Sequence, residues 1–171
     1  MKILGISAFY HDSACCVLID GKIIFAAQEE RYTRIKHDHN FPKLSITSAL
    51  NYTSLKITDF DAIVFYEKPF VKFERLLETY LNNFPFGFKS FLKSMPIWIK
   101  EKIFQKKIIL DELNSIDKNF KDKSKIFFSE HHLSHAASAF YPSNFKDAVV
   151  LTIDAVGEWT TTSVYVGKDK E

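Results

Sequence analysis

The sequence predicts an α/β fold in which a mixed β-sheet is flanked by helices. Three short apolar runs follow one another at the start of the chain, at residues 2–8, 13–19 and 22–28. Only Asp20 and Gly21 separate the second run from the third. This dipeptide is typical of a tight hairpin turn, where both central residues need positive φ. Segments with helical spacing follow, and this order favours helices packed on a sheet.

The later elements are predicted from the same patterns. Residues 45–55 have apolar positions at helical spacing, and residues 130–140 form a small-residue helix that ends before Pro142. Short apolar runs predict further strands, of which the last two form a hairpin: residues 61–66, 125–129, 148–153 and 160–166.

Two segments have no simple period. Residues 29–42 are charged and aromatic, and are predicted to form an ordered loop. Residues 69–122 are predicted to form a helical insert that is broken at Pro85 and Pro96. The whole order is compatible with a ribonuclease-H-like or actin-like ATPase half-domain. These residues would make up less than half of a two-lobed protein of that kind, so the chain is expected to be incomplete.

Composition argues against several classes of function. The formal net charge is only +2, which does not favour broad electrostatic binding to nucleic acid. The apolar runs are much shorter than the ~20 residues that a membrane-spanning helix needs, and the start of the chain lacks the apolar core of a signal peptide. Cys15 and Cys16 are adjacent and would point to opposite faces of a strand, so they are predicted to be reduced thiols. A cytoplasmic protein is therefore expected.

A histidine pair is the sharpest candidate site. His131 and His135 are four residues apart, so they share one face of the predicted helix and can bind one divalent metal. Asp154 ends the apolar strand that follows, and such a residue faces the crevice of an α/β sheet. Two histidines and a carboxylate suit iron, zinc or manganese. The alternative is a solvated or hydrogen-bonded histidine pair. The zinc-protease motif is not matched, because His132 stands where that motif has glutamate.

A second candidate site lies near the start of the chain. His11, in the predicted turn between the first two strands, is the one residue there that can carry a proton near neutral pH. The loop that follows offers four cations or potential cations, namely Arg31, Arg34, Lys36 and His37, which suit phosphate or carboxylate. A surface histidine and a solvated charged loop are the alternatives.

Three stretches of the chain, taken in order, resemble the O-carbamoyltransferases of nodulation-factor synthesis and antibiotic tailoring. They are GISAFYHDSACCVLIDGKIIFAAQEERYTRIKHDHNFP, EHHLSHAASAFYPS and LTIDAVGEWTTTS. The resemblance implies that residues 1–171 are the N-terminal lobe of an actin-like carbamoyltransferase domain. It also implies that a C-terminal lobe and an adenylate-forming domain are missing from these residues.

The resemblance further implies an activity and a set of roles. A carbamoyl group would pass from carbamoyl-adenylate, made from carbamoyl phosphate and ATP, to a hydroxyl of a small molecule in a biosynthetic pathway. His131, His135 and Asp154 would hold a divalent metal, iron, near the adenylate. His11 would be the base that deprotonates the acceptor hydroxyl, and Lys36 would contact the carbamoyl-adenylate, as Asp154 would.

Other functions stay open at this point. A tRNA threonylcarbamoyl-transfer protein would share the histidine pair, although the loop EERYTRIKHD favours the first interpretation. A degenerate nucleotide- or metal-binding module acting through a partner is a third possibility.

The chain also departs from the family pattern at Ala155, where glycine is usual and allows a closer backbone approach.

Overall fold

The computed structural model of the protein describes residues 1–98, 104–155 and 157–169. Within these ranges the chain is an α/β protein that divides into two compact units. The first unit comprises Met1–Tyr66 and Lys106–Phe128, and the second comprises Glu67–Gln105 and Ser129–Glu171. Among the described residues, no helix combines the length and the apolar character needed to cross a membrane.

A mixed five-stranded sheet forms the centre of the first unit. The strands are β1 (Lys2–Ser7), β2 (Ala14–Ile19), β3 (Lys22–Gln28), β4 (Ala62–Phe65) and β5 (Ile126–Phe128). Their order is β3-β2-β1-β4-β5, in which β2 is antiparallel to β1 and β3, whereas β4 is parallel to β1 and β5. The predicted mixed sheet and its five strands are confirmed.

Helices flank this sheet and close its core. Helix α2 (Lys43–Thr53) packs on β2 and β3, and helix α5 (Gln105–Ile116) contributes Ile109 and Leu113 to the same buried cluster. The inward strand residues alternate, as Leu4 and Ile6 of β1 show, because successive side chains of a strand point to opposite faces. The predicted helix at residues 45–55 therefore exists, shifted by two residues.

The turn between β2 and β3 and the two cysteines have the structures that the sequence predicted. Asp20 and Gly21 join β2 to β3 with φ of 49° and 76°, as the hairpin signal predicted. Cys15 and Cys16 are both free thiols, so the absence of a disulfide between them is confirmed. Burial raises the pKa of the Cys15 thiol to about 12, which keeps it protonated and unreactive.

The segment 29–42 is more regular than predicted. Residues Glu30–Thr33 form a single helical turn, α1, because the N–H groups of Thr33 and Arg34 donate to the carbonyls of Glu29 and Glu30. The rest of the segment is loop. Its anchor is the buried carboxylate of Glu29, which accepts hydrogen bonds from the first N–H groups of α2, those of Leu44 and Ser45. A carboxylate at this position also complements the positive end of the helix dipole.

The second unit contains helices and a separate two-stranded sheet. Its helices are α3 (Pro69–Asn82), α4 (Phe88–Trp98) and α6 (His131–Phe140), and its strands are β6 (Asp147–Ile153) and β7 (Thr162–Lys168). The predicted helix at residues 130–140 and the predicted hairpin are confirmed. Helix α6 packs on both strands, and Phe140 lies so close to Gly167 that a Cβ there would be about 2.6 Å from the ring.

The predicted helical insert is helical where the structure describes it. Pro85 lies between α3 and α4, as expected, but Pro96 lies within α4 rather than ending it. A proline removes one backbone donor, and the two residues after it still follow the helical path. Residues 99–103 lie outside the described residues, and the boundaries 69–122 stay a prediction.

Candidate metal centre

Helix α6 brings the two predicted imidazoles together. Ala136 and Phe140 are buried against the hairpin, and this fixes which face of α6 carries His131 and His135. The Nε2 atoms of the two histidines are 3.1 Å apart, and their rings stand edge to face. The side chain of His131 is only 12% exposed, whereas that of His135 is 54% exposed. One imidazole is therefore held firmly in the protein, and the other borders solvent.

Asp154 completes the group from the end of β6. Its Oδ2 atom lies 2.7 Å from Nε2 of His131 and 3.8 Å from Nε2 of His135. The backbone N–H of Asp154 donates to the carbonyl of Thr161 across the hairpin, which fixes the start of the connection. Among the described residues, His131, His135 and Asp154 are the one set of three potential ligands whose donor atoms all lie within 4.8 Å of one another.

The spacing of these donor atoms fits a single small cation. The circle through the two Nε2 atoms and Oδ2 has a radius of about 1.9 Å, close to the ~2.0–2.1 Å bonds that imidazole and carboxylate form with a divalent metal. One N–H on Nε2 of His131 cannot serve Asp154 and His135 equally well. All three donor atoms could coordinate one cation at the same time. The donor set is therefore compatible with a divalent ion.

The protonation of His135 suits the same role. Burial, and then the neighbouring His131, lower the pKa of His135, although Asp154 acts in the opposite direction. A lowered pKa keeps the imidazole neutral and its lone pair available to a lower pH than usual. A histidine must be neutral to bind a metal.

A buried acidic residue lies behind His131. The side chain of Glu67 is 2% exposed, and its Oε2 is 3.9 Å from Nδ1 of His131, the nitrogen that faces away from Asp154. Lys72 compensates the carboxylate with its Nζ at 3.2 Å. An acidic group therefore faces the side of the imidazole opposite Asp154. Sequence reasoning missed Glu67, because no local pattern connects it with a helix that begins 64 positions later.

Two contacts hold the β6–β7 connection near α6. The carboxylate of Glu158 accepts hydrogen bonds from the backbone N–H groups of Lys68 and His131, which stand at the starts of α3 and α6. Burial raises the pKa of Glu158, and these hydrogen bonds act against that rise. Nη1 of Arg75 donates to the carbonyl of Gly157 at 2.5 Å. The connection that follows Asp154 is therefore tied to both helices.

His132 takes a structural position in helix α6. It points away from the group of three and is 6% exposed, with Nδ1 at 2.6 Å from Oγ of Ser163 on β7. Its Nε2 would lie 2.8 Å from a Cβ added at Gly157, and the same Cβ would overlap the carbonyl oxygen of Thr160. Gly157 is therefore needed for close approach to His132. No local sequence pattern connects Gly157 with His132.

This close approach gives a testable prediction. We expect Gly157→Ala to lower the free energy of unfolding by about 1–3 kcal/mol, because the added methyl group meets a buried ring and a backbone oxygen. We also expect ~10–100-fold weaker binding of Fe²⁺ or Co²⁺, since the displaced connection carries Asp154. Thermal unfolding and metal titration measure the two effects. Gly21→Ala is the matched control. It has open space around it but a φ of 76°, so it should cost stability without changing metal affinity.

The structure places the other predicted residues in the first unit. His11 follows β1, its side chain is 59% exposed, and its Nδ1 is 2.8 Å from Oδ2 of Asp12. Lys36 is an exposed residue of a turn in the loop after α1. Neither belongs to the group formed by His131, His135 and Asp154, which lies in the second unit, and their roles stay predictions.

The described structure is thus that of an α/β protein with a candidate centre for one divalent cation. The chain belongs to the carbamoyltransferase N-terminus family, whose sequence model matches residues 2–171. This match confirms the resemblance drawn from the three motifs.

Three relatives are similar to this chain over nearly all of its length. The chain is 50% identical to an uncharacterized Synechocystis protein, sll1178, over 99% of the chain and 28% of that protein. It is 33% identical to the nodulation protein NolNO of Sinorhizobium fredii, over 96% of the chain and 22% of that protein. An uncharacterized Methanocaldococcus jannaschii protein, MJ1058, is 30% identical over 99% of the chain and 33% of its own length. The chain therefore spans no more than a third of each of these relatives.

Proposed function

We propose that the chain is the N-terminal part of an O-carbamoyltransferase that acts on a hydroxyl of a small molecule in a biosynthetic pathway. The carbamoyl donor would be carbamoyl-adenylate, made from carbamoyl phosphate and ATP. The observation that carries this proposal is the convergence of His131, His135 and Asp154 in a chain of the carbamoyltransferase N-terminus family. A bound divalent cation can polarise a weakly electrophilic carbonyl group, which suits carbamoyl transfer.

The strand order supports the finer fold assignment. An order of β3-β2-β1-β4-β5, with β2 antiparallel to both of its neighbours, is expected of a ribonuclease-H-like sheet. Actin-like ATPase half-domains are built on such a sheet, and a nucleotide-linked donor suits them. The β6–β7 hairpin would begin a further sheet of the same domain.

His131, His135 and Asp154 are the residues that would hold the metal, for which we propose iron. A divalent ion bound there would supply Lewis-acid stabilisation of negative charge that develops on an oxygen of the donor. Glu67 would stand behind His131, with its Oε2 3.9 Å from Nδ1, and the hydrogen bonds accepted by Glu158 would keep the start of α6 in place. Asp154 would also border the carbamoyl-adenylate.

His11 would act as the general base. Its Nδ1 is engaged with Asp12, so Nε2 is the nitrogen that can take the proton of the acceptor hydroxyl. As that proton leaves, the hydroxyl oxygen bonds to the carbamoyl carbon. The bond from this carbon to the phosphate oxygen breaks, and AMP departs with the electron pair. Lys36 would contact the carbamoyl-adenylate and offset its negative charge.

The remaining regions of the longer polypeptide would complete the reaction. The three relatives named above are roughly three to four and a half times as long as this chain, as the covered shares of 33% to 22% imply. We propose that those regions include a C-terminal lobe and a domain that forms the adenylate. The protein would work in the cytoplasm, where ATP and carbamoyl phosphate are available.

The proposal is tested on the full-length protein. Radiolabelled carbamoyl phosphate, ATP and Fe²⁺ are supplied with a panel of sugars and polyols, and both label transfer and AMP release are measured. We expect AMP release that depends on carbamoyl phosphate, with label on at least one hydroxyl compound. Transfer of a threonylcarbamoyl group to tRNA, with no small-molecule acceptor used, would contradict the proposal in favour of the tRNA-modifying alternative.

A further inference from the structure

Asp12 joins two histidines that are far apart in the sequence. Its Oδ2 is 2.8 Å from Nδ1 of His11, and its Oδ1 is 2.9 Å from Nδ1 of His37. All three residues belong to the first unit. His11 lies in the turn after β1, whereas His37 follows Lys36 in the loop after α1. One carboxylate thus links the two segments that carry the proposed substrate residues.

Backbone hydrogen bonds join the same two segments on both sides of the cluster. The N–H of Phe9 donates to the carbonyl of His39 at 2.9 Å, and the N–H of Ser13 donates to the carbonyl of Asp38 at 2.8 Å. The placement of His37 beside Asp12 is therefore fixed by the fold. It is not an encounter between two free surface side chains.

The backbone is left-handed at both residues of the contact between Asp12 and His37. Asp12 has φ of 52° and His37 has φ of 56°, a region that residues other than glycine enter at a cost. Such conformations persist where the surroundings impose them, and they cluster at functional sites. Here they aim both side chains at one point.

The arrangement selects one tautomer for each ring. An ionised carboxylate only accepts hydrogen bonds, so both Nδ1 atoms must carry a proton. The hydrogen bonds from His37 and then from His11 lower the pKa of Asp12, which keeps it ionised. In the neutral imidazoles, the lone pair is then on Nε2. The two rings are 59% and 61% exposed, so neither is enclosed by the protein.

We propose that Asp12 is a positioning residue that sets the tautomer of His11 and, through His37, holds Lys36 in its place beside the first strand turn. This inference rests on the proposed function, because it assigns Asp12 to the base and to the donor-binding loop of that reaction. His37 is the link between them. His11 remains the group that takes the proton.

The variant Asp12→Asn tests the inference directly. An asparagine side chain offers one accepting oxygen and one donating amide, so one of the two rings must lose its proton from Nδ1 and carry it on Nε2. Nitrogen NMR shifts of the imidazoles report this change of tautomer. We expect the full-length variant to lose roughly 10²–10⁴-fold in kcat, with little change in the KM of the acceptor.

Asp20→Asn is the matched control, since Asp20 is also left-handed, with φ of 49°, and lies outside the cluster. It should leave the imidazole tautomers and kcat unchanged. As a second variant, His37→Ala should speed hydrogen exchange at the amides of Phe9 and Ser13, which join the two segments.

Unchanged tautomers in Asp12→Asn would overturn the inference, as would a changed tautomer with full kcat. The NMR and exchange measurements need no catalysis. If the two variants showed these structural effects but the unaltered full-length protein transferred no carbamoyl group, the proposed function would be refuted instead.

Discussion

His135→Ala is expected to weaken the binding of Fe²⁺ or Co²⁺ by at least ~100-fold. Changes to groups that only orient a ligand already cost 10–100-fold in affinity, and this substitution removes a proposed ligand itself. The fold should survive, because His135 is 54% exposed and alanine is the most favourable residue in a helix. Calorimetric titration of the purified protein measures the change.

The control for this experiment is His39→Ala, the same replacement at an exposed histidine outside the group. It should bind metal as the unaltered protein does. Equal affinity in His135→Ala and His39→Ala would show that His135 is not a ligand. A loss of secondary structure in His135→Ala, measured by circular dichroism, would contradict the expectation that its role is confined to the site.

His11→Ala is expected to lower the rate of carbamoyl transfer by roughly 10²–10⁴-fold, the usual contribution of a general base. Metal affinity should not change, since His11 has no atom in the group formed by His131, His135 and Asp154. A lowered transfer rate with unchanged metal affinity would distinguish the role of His11 from that of the metal ligands. Single-turnover transfer from carbamoyl-adenylate in the full-length protein measures the chemical step without contributions from adenylate formation.

The same assay on His39→Ala supplies the comparison, and its rate should match that of the unaltered protein. Full transfer activity in both His11→Ala and His131→Ala would remove the basis for the proposed roles. A rate loss in His11→Ala with an equal loss of metal affinity would instead indicate a structural effect, and would count against His11 as the base.

Local patterns were sufficient to predict most elements of the fold. The Asp20-Gly21 turn, the alternation in β1 and the spacing of the histidines in α6 each depend on neighbours within one strand or one helical turn. Such patterns show which face of an element is buried. Asp154 could be anticipated as well, because a polar residue directly after an apolar strand lies at the edge of the sheet.

The supporting contacts could not be predicted in the same way. Glu67 reaches His131, and Arg75 reaches Gly157, only through tertiary packing across 64 and 82 positions. A charged residue in a loop or helix is usually solvated, so its sequence alone gave no reason to place Glu67 in the interior. The link from Asp12 to His37 likewise depends on two left-handed residues, which a one-dimensional pattern does not reveal.

The helical turn at residues 30–33 shows another limit. Its sequence, ERYT, has no apolar face, and a single turn has little stability of its own. It forms beside Glu29, whose carboxylate is bound to the start of α2. Long-range anchoring thus decided a local conformation that the charge pattern had assigned to a loop.

Diffraction from Fe²⁺-loaded crystals at the iron absorption edge provides the most direct measurement. Two imidazoles one helical turn apart and the acid that ends β6 should surround a single anomalous peak, with each bond about 2.0–2.2 Å long. A peak elsewhere in the protein, or none at full iron loading, would contradict a shared cation at His131, His135 and Asp154.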